Sequence, residues 1–372
     1  MNLETKRLKA ALERLCLVVP KKGTLPVLEN LRWRVVKGHL ELTATDLDNS
    51  VHISMPFAAP TIAHSIDVLV PAKELYQAVK TESAPTMEVR IHDGKFEVRA
   101  NNRTLVLPAT EPKNFPQIPD GELSLRGQIL ASALETALTK ALFCVSTEST
   151  RYSTDVVKLE MRDSTFRVVG TDGHRLSVVE GAAKNGASSA FSTLLLRFTA
   201  SILSKLQANG ESGWVQFSTC GSEQDFILFV LPDGSGLIAR RGQGQFPNYE
   251  NVIPKAPLEA KVVFQREELL DGLTKLSATA RKSQNAAVKL ELSKSPACIK
   301  AENDGTANRV ALEHARVSGK ARDIGVNHQY LTQYVKSLET DTVSMQLFPK
   351  AISEVIVFDS FRYQHLLMPL RD

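Results

Sequence analysis

The chain has 372 residues, 43% of them apolar and 23% charged, and a net charge of +4. That length exceeds a typical single core and implies two or three domains of ordinary globular composition. No apolar run reaches membrane-spanning length, MNLETKR does not read as a secretory leader, and Cys16, Cys144, Cys220 and Cys298 show no CxxC spacing. A membrane span, a disulfide scaffold and a zinc module are thereby set aside, and a reducing cytoplasm is expected.

In chain order the same elements recur three times. Leu8, Leu12 and Leu15 share one face of an opening helix. The alternating run LRWRVVKGHLELTA reads as strands and ends at Thr45-Asp46, and VPAKELYQAVK starts a short helix with Leu75 and Val79 four apart. Strand-like segments such as KFEVRANNRTLVL then lead into the proline-dense stretch 107–122. The second set opens with Leu130, Leu134 and Leu138, continues through VVKLEMRDSTFRVVG to Thr171-Asp172, and places Ile202 and Leu206 on the helix in RFTASILSKLQ. A second proline-dense stretch, 246–260, repeats Phe115-Pro116 as Phe246-Pro247. The third set brings Leu269, Leu273 and Leu276, then AVKLELSKSPACIKA before Asn303-Asp304, then VNHQYLTQYVK with Leu331 and Val335.

Each recurrence falls about a third of the chain after the last, which is the signature of an internal repeat. The expected fold is α+β, with three domains at 1–121, 122–254 and 255–372. Each would hold antiparallel strands and two helices on one sheet face.

The stretch GTDGHRLSVV sets Asp172, His174 and Arg175 within four positions. An acid–base pair needs convergence with a nucleophile in space, which sequence neighbours rarely provide. The repeat favours a strand-to-strand turn, because Asp, Asn and Gly occupy the equivalent place in the other two copies. His174 and Arg175 have no counterpart there. They are either decoration of a hairpin or a recognition surface peculiar to the second domain. No GxGxxG, P-loop, HExxH or GxSxG occurs, and no histidine has metal-ligand spacing. Neither a metal nor a cofactor is expected.

Taken together, TLPVLENL, TDGHRL, FPNYENVIP and the terminal MPLR resemble the bacterial β sliding clamps, the processivity subunits of DNA polymerase III. The resemblance spans the whole chain. It implies three similar domains, sheets outside and helices inside, with two chains forming a homodimeric ring around double-stranded DNA. It implies no catalytic site. Its partners would be DNA polymerase III, clamp loader subunits and other proteins bearing clamp-binding peptides.

The residues matching the family's peptide cleft are Thr171, Gly173, His174, Arg175, Leu176, Pro247, Val252, Leu366, Met368 and Pro369. Leu176, Val252, Leu366 and Met368 are expected to form its apolar floor. In RYSTDVV, Arg151 and Tyr152 match, whereas Ser153 and Thr154 replace a residue that is commonly aromatic or polar and then a leucine. Thr154 implies a smaller, more polar subsite. Leu370 stands where methionine is frequent.

DNA-facing positions are Lys22, Lys73, Arg151, Tyr152, Arg197 and Lys205, and Arg14 joins them as a basic residue on a helix. The strand around Val106 and the helix around Leu276 are expected at the dimer interface. A diverged paralogue, or a monomeric module that binds peptides but no DNA, remains the alternative.

Overall fold

The structure is a computed structural model describing residues 1–21, 25–36, 38–56, 66–119, 122–146, 154–185, 190–207, 212–221, 224–349, 355–360 and 362–370. The first repeat runs β1 (Asn2–Glu4), α1 (Thr5–Leu15), β2 (Asn30–Val36), β3 (His39–Thr45), β4 (Asn49–Pro56), β5 (Ile66–Pro71), α2 (Ala72–Lys80), β6 (Thr86–His92), β7 (Lys95–Ala100) and β8 (Arg103–Pro108). The second follows as β9 (Ser124–Leu130), α3 (Ala131–Leu142), β10 (Val156–Arg162), β11 (Thr165–Thr171), β12 (Arg175–Asn185), β13 (Phe191–Leu196), α4 (Arg197–Gln207), β14 (Trp214–Cys220), β15 (Phe226–Val230) and β16 (Gly236–Arg240). The third runs β17 (Ala260–Gln265), α5 (Arg266–Lys282), β18 (Ala287–Glu291), β19 (Ala297–Asn303), β20 (Thr306–Leu312), β21 (Arg316–Gly319), β22 (Ile324–Asn327), α6 (His328–Lys336), β23 (Thr342–Leu347), β24 (Ile356–Ser360) and β25 (Tyr363–Leu367).

This α+β arrangement repeats the same order of elements three times, with β21 as an addition in the third copy. Within each repeat the two helices pack together, α1 on α2, α3 on α4 and α5 on α6. No helix among the described residues is long and apolar enough to cross a membrane.

Alternating burial explains the layering. In α1, Leu8, Leu12 and Leu15 point into the core, and in α5 Leu269, Leu273 and Leu276 do the same. The apolar face of α3 begins at Ala131 and Leu134; Leu130 ends β9 instead and is 40% exposed, because the chain has not yet turned into the helix. The proline-dense stretches are only partly extended. The first begins inside β8 and contains a 3-10 turn at Pro112–Asn114, and the second contains one at Tyr249–Asn251.

Two sheets continue from one repeat into the next. Edge strand β4 pairs antiparallel with β16, setting Ser50 opposite Ile238 and His52 opposite Gly236. In the same way β12 pairs with β25, setting Leu176 opposite Leu366 and Val178 opposite Gln364. By position in the repeat, β4, β12 and β20 are equivalent, and so are β8, β16 and β25. Two seams are therefore closed within the chain. Among the described residues, β8 pairs only with β7, and β20 only with β19.

Candidate functional site

The stretch that begins at Thr171 is a side-chain-braced turn. The Thr171 hydroxyl donates to the Arg175 carbonyl at 2.7 Å and accepts from the Gly173 amide at 3.1 Å. Asp172 Oδ1 accepts from the amides of His174 and Arg175, each at 3.0 Å. Thr45 and Asp46 make the same bonds to Asn49, Leu47 and Asp48 in the first repeat. Gly173 has φ +88°, a left-handed conformation that glycine adopts without strain. Leu47 takes the equivalent position at φ 85°. In the third repeat Asp304 and Gly305 close a two-residue hairpin. In the first two repeats Oδ1 of the aspartate is spent on backbone amides, which is what a turn requires.

Arg175 does something sequence alone did not indicate. Its Nε bonds Asp172 Oδ2 at 2.9 Å, Nη1 donates to Gln333 on α6, and the guanidinium lies 4.1 Å from the Tyr330 ring centroid. It is buried, and it ties the second repeat to the third. Nearby, the Met368 amide donates to the His174 carbonyl at 2.9 Å.

Over this seam, on the sheet face away from the helices, lies a cleft of about 260 Å³. Thr154, Thr171, Gly173, His174, Arg175, Leu176, Pro247, Val252, Leu366 and Met368 all line it. Pro369 does not. Leu176 and Leu366 form the buried floor, but Val252 is 49% and Met368 51% exposed, so these two make a rim rather than the floor expected of them. Thr154 is buried in the wall. Asn248, Tyr249 and Val355 also line the cleft and were missed. Tyr249 could have been found from the repeat, because it stands two residues after Pro247 as Ile118 stands two after Pro116.

An apolar cluster of Val156, Val169, Leu176, Val178, Phe246, Tyr249, Phe348, Val357 and Leu366 underlies the cleft. Strand alternation sends the intervening Ser177 and His365 to the helix side. There His365 is fully buried, stacks on Tyr334 at 4.6 Å and has Cys144 Sγ 3.7 Å from its Nδ1. Burial, with Arg175 adding to it, pushes the imidazole pKa down to about 3, and burial pushes the Cys144 thiol up. A protonated thiol beside a neutral imidazole, both sealed from solvent, is the reverse of an activated nucleophile. Among the described residues no His, Cys, Asp or Glu group could hold a metal ion.

The expected DNA-facing cations separate into different kinds. Arg197 and Lys205 on α4 are exposed. Lys73 is half-buried and its ammonium donates to the Pro20 carbonyl. Arg14 is not a surface cation. It is buried against Asp233 and bonds Ser235 Oγ at 2.7 Å, across the seam between the first two repeats. Lys22, Arg151 and Tyr152, with Ser153, lie outside the described residues. Val106 on β8 is 52% exposed. Leu276 is 1% exposed and sits in the core of its own repeat, on the same helix face as Leu269 and Leu273, so its side chain cannot reach a second subunit.

Residues 1–119 match the family described as DNA polymerase III beta subunit, N-terminal domain, and residues 250–371 match the C-terminal domain of that subunit, together more than half of the chain. The beta sliding clamp of Pseudomonas aeruginosa is 25% identical over 365 residues, covering 95% of each chain. That of Caulobacter vibrioides is 26% identical and covers 100% of this chain and 99% of its own. The fold superposes on the DNA polymerase III beta subunit of Thermotoga maritima with a TM-score of 0.88 at 20% identity, covering 100% of this chain and 99% of that one. A Pseudomonas aeruginosa sliding clamp bound to griselimycin gives 0.88 at 24% identity, with the same coverage. Three repeats in this order, two seams of one design and these likenesses place the chain in the family of bacterial DNA polymerase III β subunits, the β sliding clamps.

Proposed function

We propose that the chain is a DNA sliding clamp, a non-enzymatic processivity factor closed into a ring by a second copy. The observation that carries this reading is that, among the described residues, β8 and β20 each have one edge without a partner strand. They are the equivalents of the strands that join at the two internal seams, so a third seam of the same design needs another chain. Carrying the internal register over sets Val106 opposite Ala307 of the second copy. With boundaries at 1–121, 122–254 and 255–372, two chains supply six domains and twelve helices around one hole.

DNA in such a ring is held topologically, and exposed cations such as Arg197 and Lys205 contribute weak, sequence-independent phosphate contacts. The cleft would receive short peptides of DNA polymerase III, clamp loader subunits and other partners, in the cytoplasm. Griselimycin serves as a probe of that cleft.

Retention on a closed plasmid tests the ring. Protein held on the circle should leave when the plasmid is cut once, at salt that suppresses phosphate contacts. Equal retention on circle and line would contradict topological binding. For the cleft, Met368→Ala should weaken griselimycin by about 1–3 kcal/mol in calorimetry, the scale of an anchor contact. Thr154→Leu should strengthen it by enlarging the apolar wall.

A further inference from the structure

One wall of the cleft, Pro247 to Val252, is held in place mainly from beneath. Within it the backbone hydrogen bonds are local: the amides of Tyr249, Asn251 and Val252 donate to the carbonyls of Pro247, Asn248 and Tyr249. The bridges from Arg162 and Arg167 to Glu250 at 3.0 and 3.3 Å join half-exposed side chains and contribute little.

Below the wall the chemistry differs. The Tyr249 hydroxyl donates to Glu160 Oε2 at 2.5 Å, and both residues are buried. The other oxygen, Oε1, takes Lys158 Nζ at 2.8 Å. That ammonium also lies 5.5 Å from the Tyr249 ring centroid and 5.8 Å from that of Phe246. Burial, reinforced by the bond to Glu160, raises the Tyr249 pKa, so the phenol remains a donor. Burial works to raise Glu160, but the bonds from Lys158 and Tyr249 overcome it and hold the carboxyl below its ordinary value. A charged acceptor out of water makes this one of the stronger kinds of hydrogen bond.

We propose that the Tyr249–Glu160 bond is the positioning strut of the docking cleft, fixing the Pro247–Val252 wall against β10 before any ligand arrives. Tyr249 and Glu160 are positioning residues, and the proposal rests on the docking-cleft reading above. The first repeat supplies an internal control. Arg34 pairs with Glu41 across β2 and β3 as Glu160 pairs with Arg167 across β10 and β11. Ile118 holds the place of Tyr249. Isoleucine has no donor, so no such bond forms, and both Arg34 and Ile118 line a concavity of about 380 Å³ at the first seam.

Griselimycin is titrated into the full-length wild type, Tyr249→Phe, Glu160→Gln and the double variant. Tyr249→Phe keeps the ring over Lys158 and removes only the hydroxyl. It should bind roughly tenfold more weakly, the scale of one charge-assisted bond. The double variant should lose less than the sum of the single losses, because Tyr249→Phe removes the donor and Glu160→Gln the charged acceptor of one bond. Amide exchange of Asn248 to Val252 should quicken in ligand-free Tyr249→Phe while the amides of β10 and β11 keep their rates. A general loss of packing would instead loosen those strands too. Wild-type affinity in Tyr249→Phe, strictly additive losses, or unchanged exchange in the wall would each overturn the strut. Met368→Ala separates the two claims. If wild type does not bind griselimycin, or Met368→Ala binds as wild type does, the docking reading fails, and exchange in the free protein still decides the strut.

Discussion

At the first internal seam Ser50 and His52 sit beside Ile238 and Gly236; at the second, the same register positions carry Leu176 and Val178 beside Leu366 and Gln364. The backbone pairing is shared, and the outer coating differs. The first seam is coated with spent polar groups: Arg32 bonds Asp67 at 2.8 and 2.6 Å, Arg34 faces Glu41 at 3.6 Å, and His52 meets Thr43 at 3.0 Å. The second carries an apolar cluster with a linker strapped over it. The difference teaches that strand pairing makes a joint, and that a docking cleft needs an apolar floor and a fixed wall in addition. Among the described residues the concavity at the first seam is lined by Arg32, Arg34, Glu41, Thr43 and His52 beside its apolar residues, whereas the second rests on the Leu176–Leu366 floor.

The helix-side ties are the places where either seam breaks most readily. Arg14 and Asp233 hold the first, and Arg175 with Asp172 and Gln333 holds the second. Replacing either arginine with alanine leaves a poorly solvated carboxylate and should cost about 3–5 kcal/mol in urea unfolding. Burial tends to raise the Asp233 pKa, but bonds from Arg14 and Ser235 outweigh it and hold the pKa below its ordinary value. The contribution of that pair is therefore in full force above about pH 4, the unfolded carboxyl value, and is lost as pH falls through the folded value. Arg14→Ala should flatten the acid limb of the stability profile.

Smaller effects sharpen the contrast between the two outer faces. Leu176→Ala opens a cavity in the second seam's floor and should cost about 2–4 kcal/mol. Ser50→Ala at the equivalent place loses one bond to Thr45 and should cost about 1 kcal/mol. Equal losses in denaturant titrations would mean that the two coatings do not differ energetically. Smallest are the turns. Gly173→Ala forces a side chain into left-handed backbone and should cost about 1 kcal/mol, whereas Leu47→Gly relieves that strain and should stabilise by less than about 1 kcal/mol.

Much of this was legible in the sequence because it follows from periodicity. The six helices and the recurring turn rest on apolar spacing and on a threefold comparison within one chain, whereas the cleft residues came from the resemblance of TDGHRL, FPNYENVIP and MPLR to the family. Leu130 was misplaced because a strand's last apolar residue and a helix's first look alike at that spacing. Leu276 marks the helix expected at the interface, but its own periodicity makes its side chain core, so exposed neighbours on that helix would have to make the contact. Arg14 and Arg175 were read as surface or rim cations, since a pattern along one helix or hairpin does not show a carboxylate or a tyrosine brought to it from another repeat. The Tyr249–Glu160 bond was illegible for the same reason.

The account stands or falls on the third seam. Light scattering of the purified chain, diluted through the micromolar range, should give a constant molar mass of twice 40.9 kDa, because β8 and β20 of two copies close a ring that neither copy can close alone. A mass of 40.9 kDa across that range, from folded protein, would contradict it.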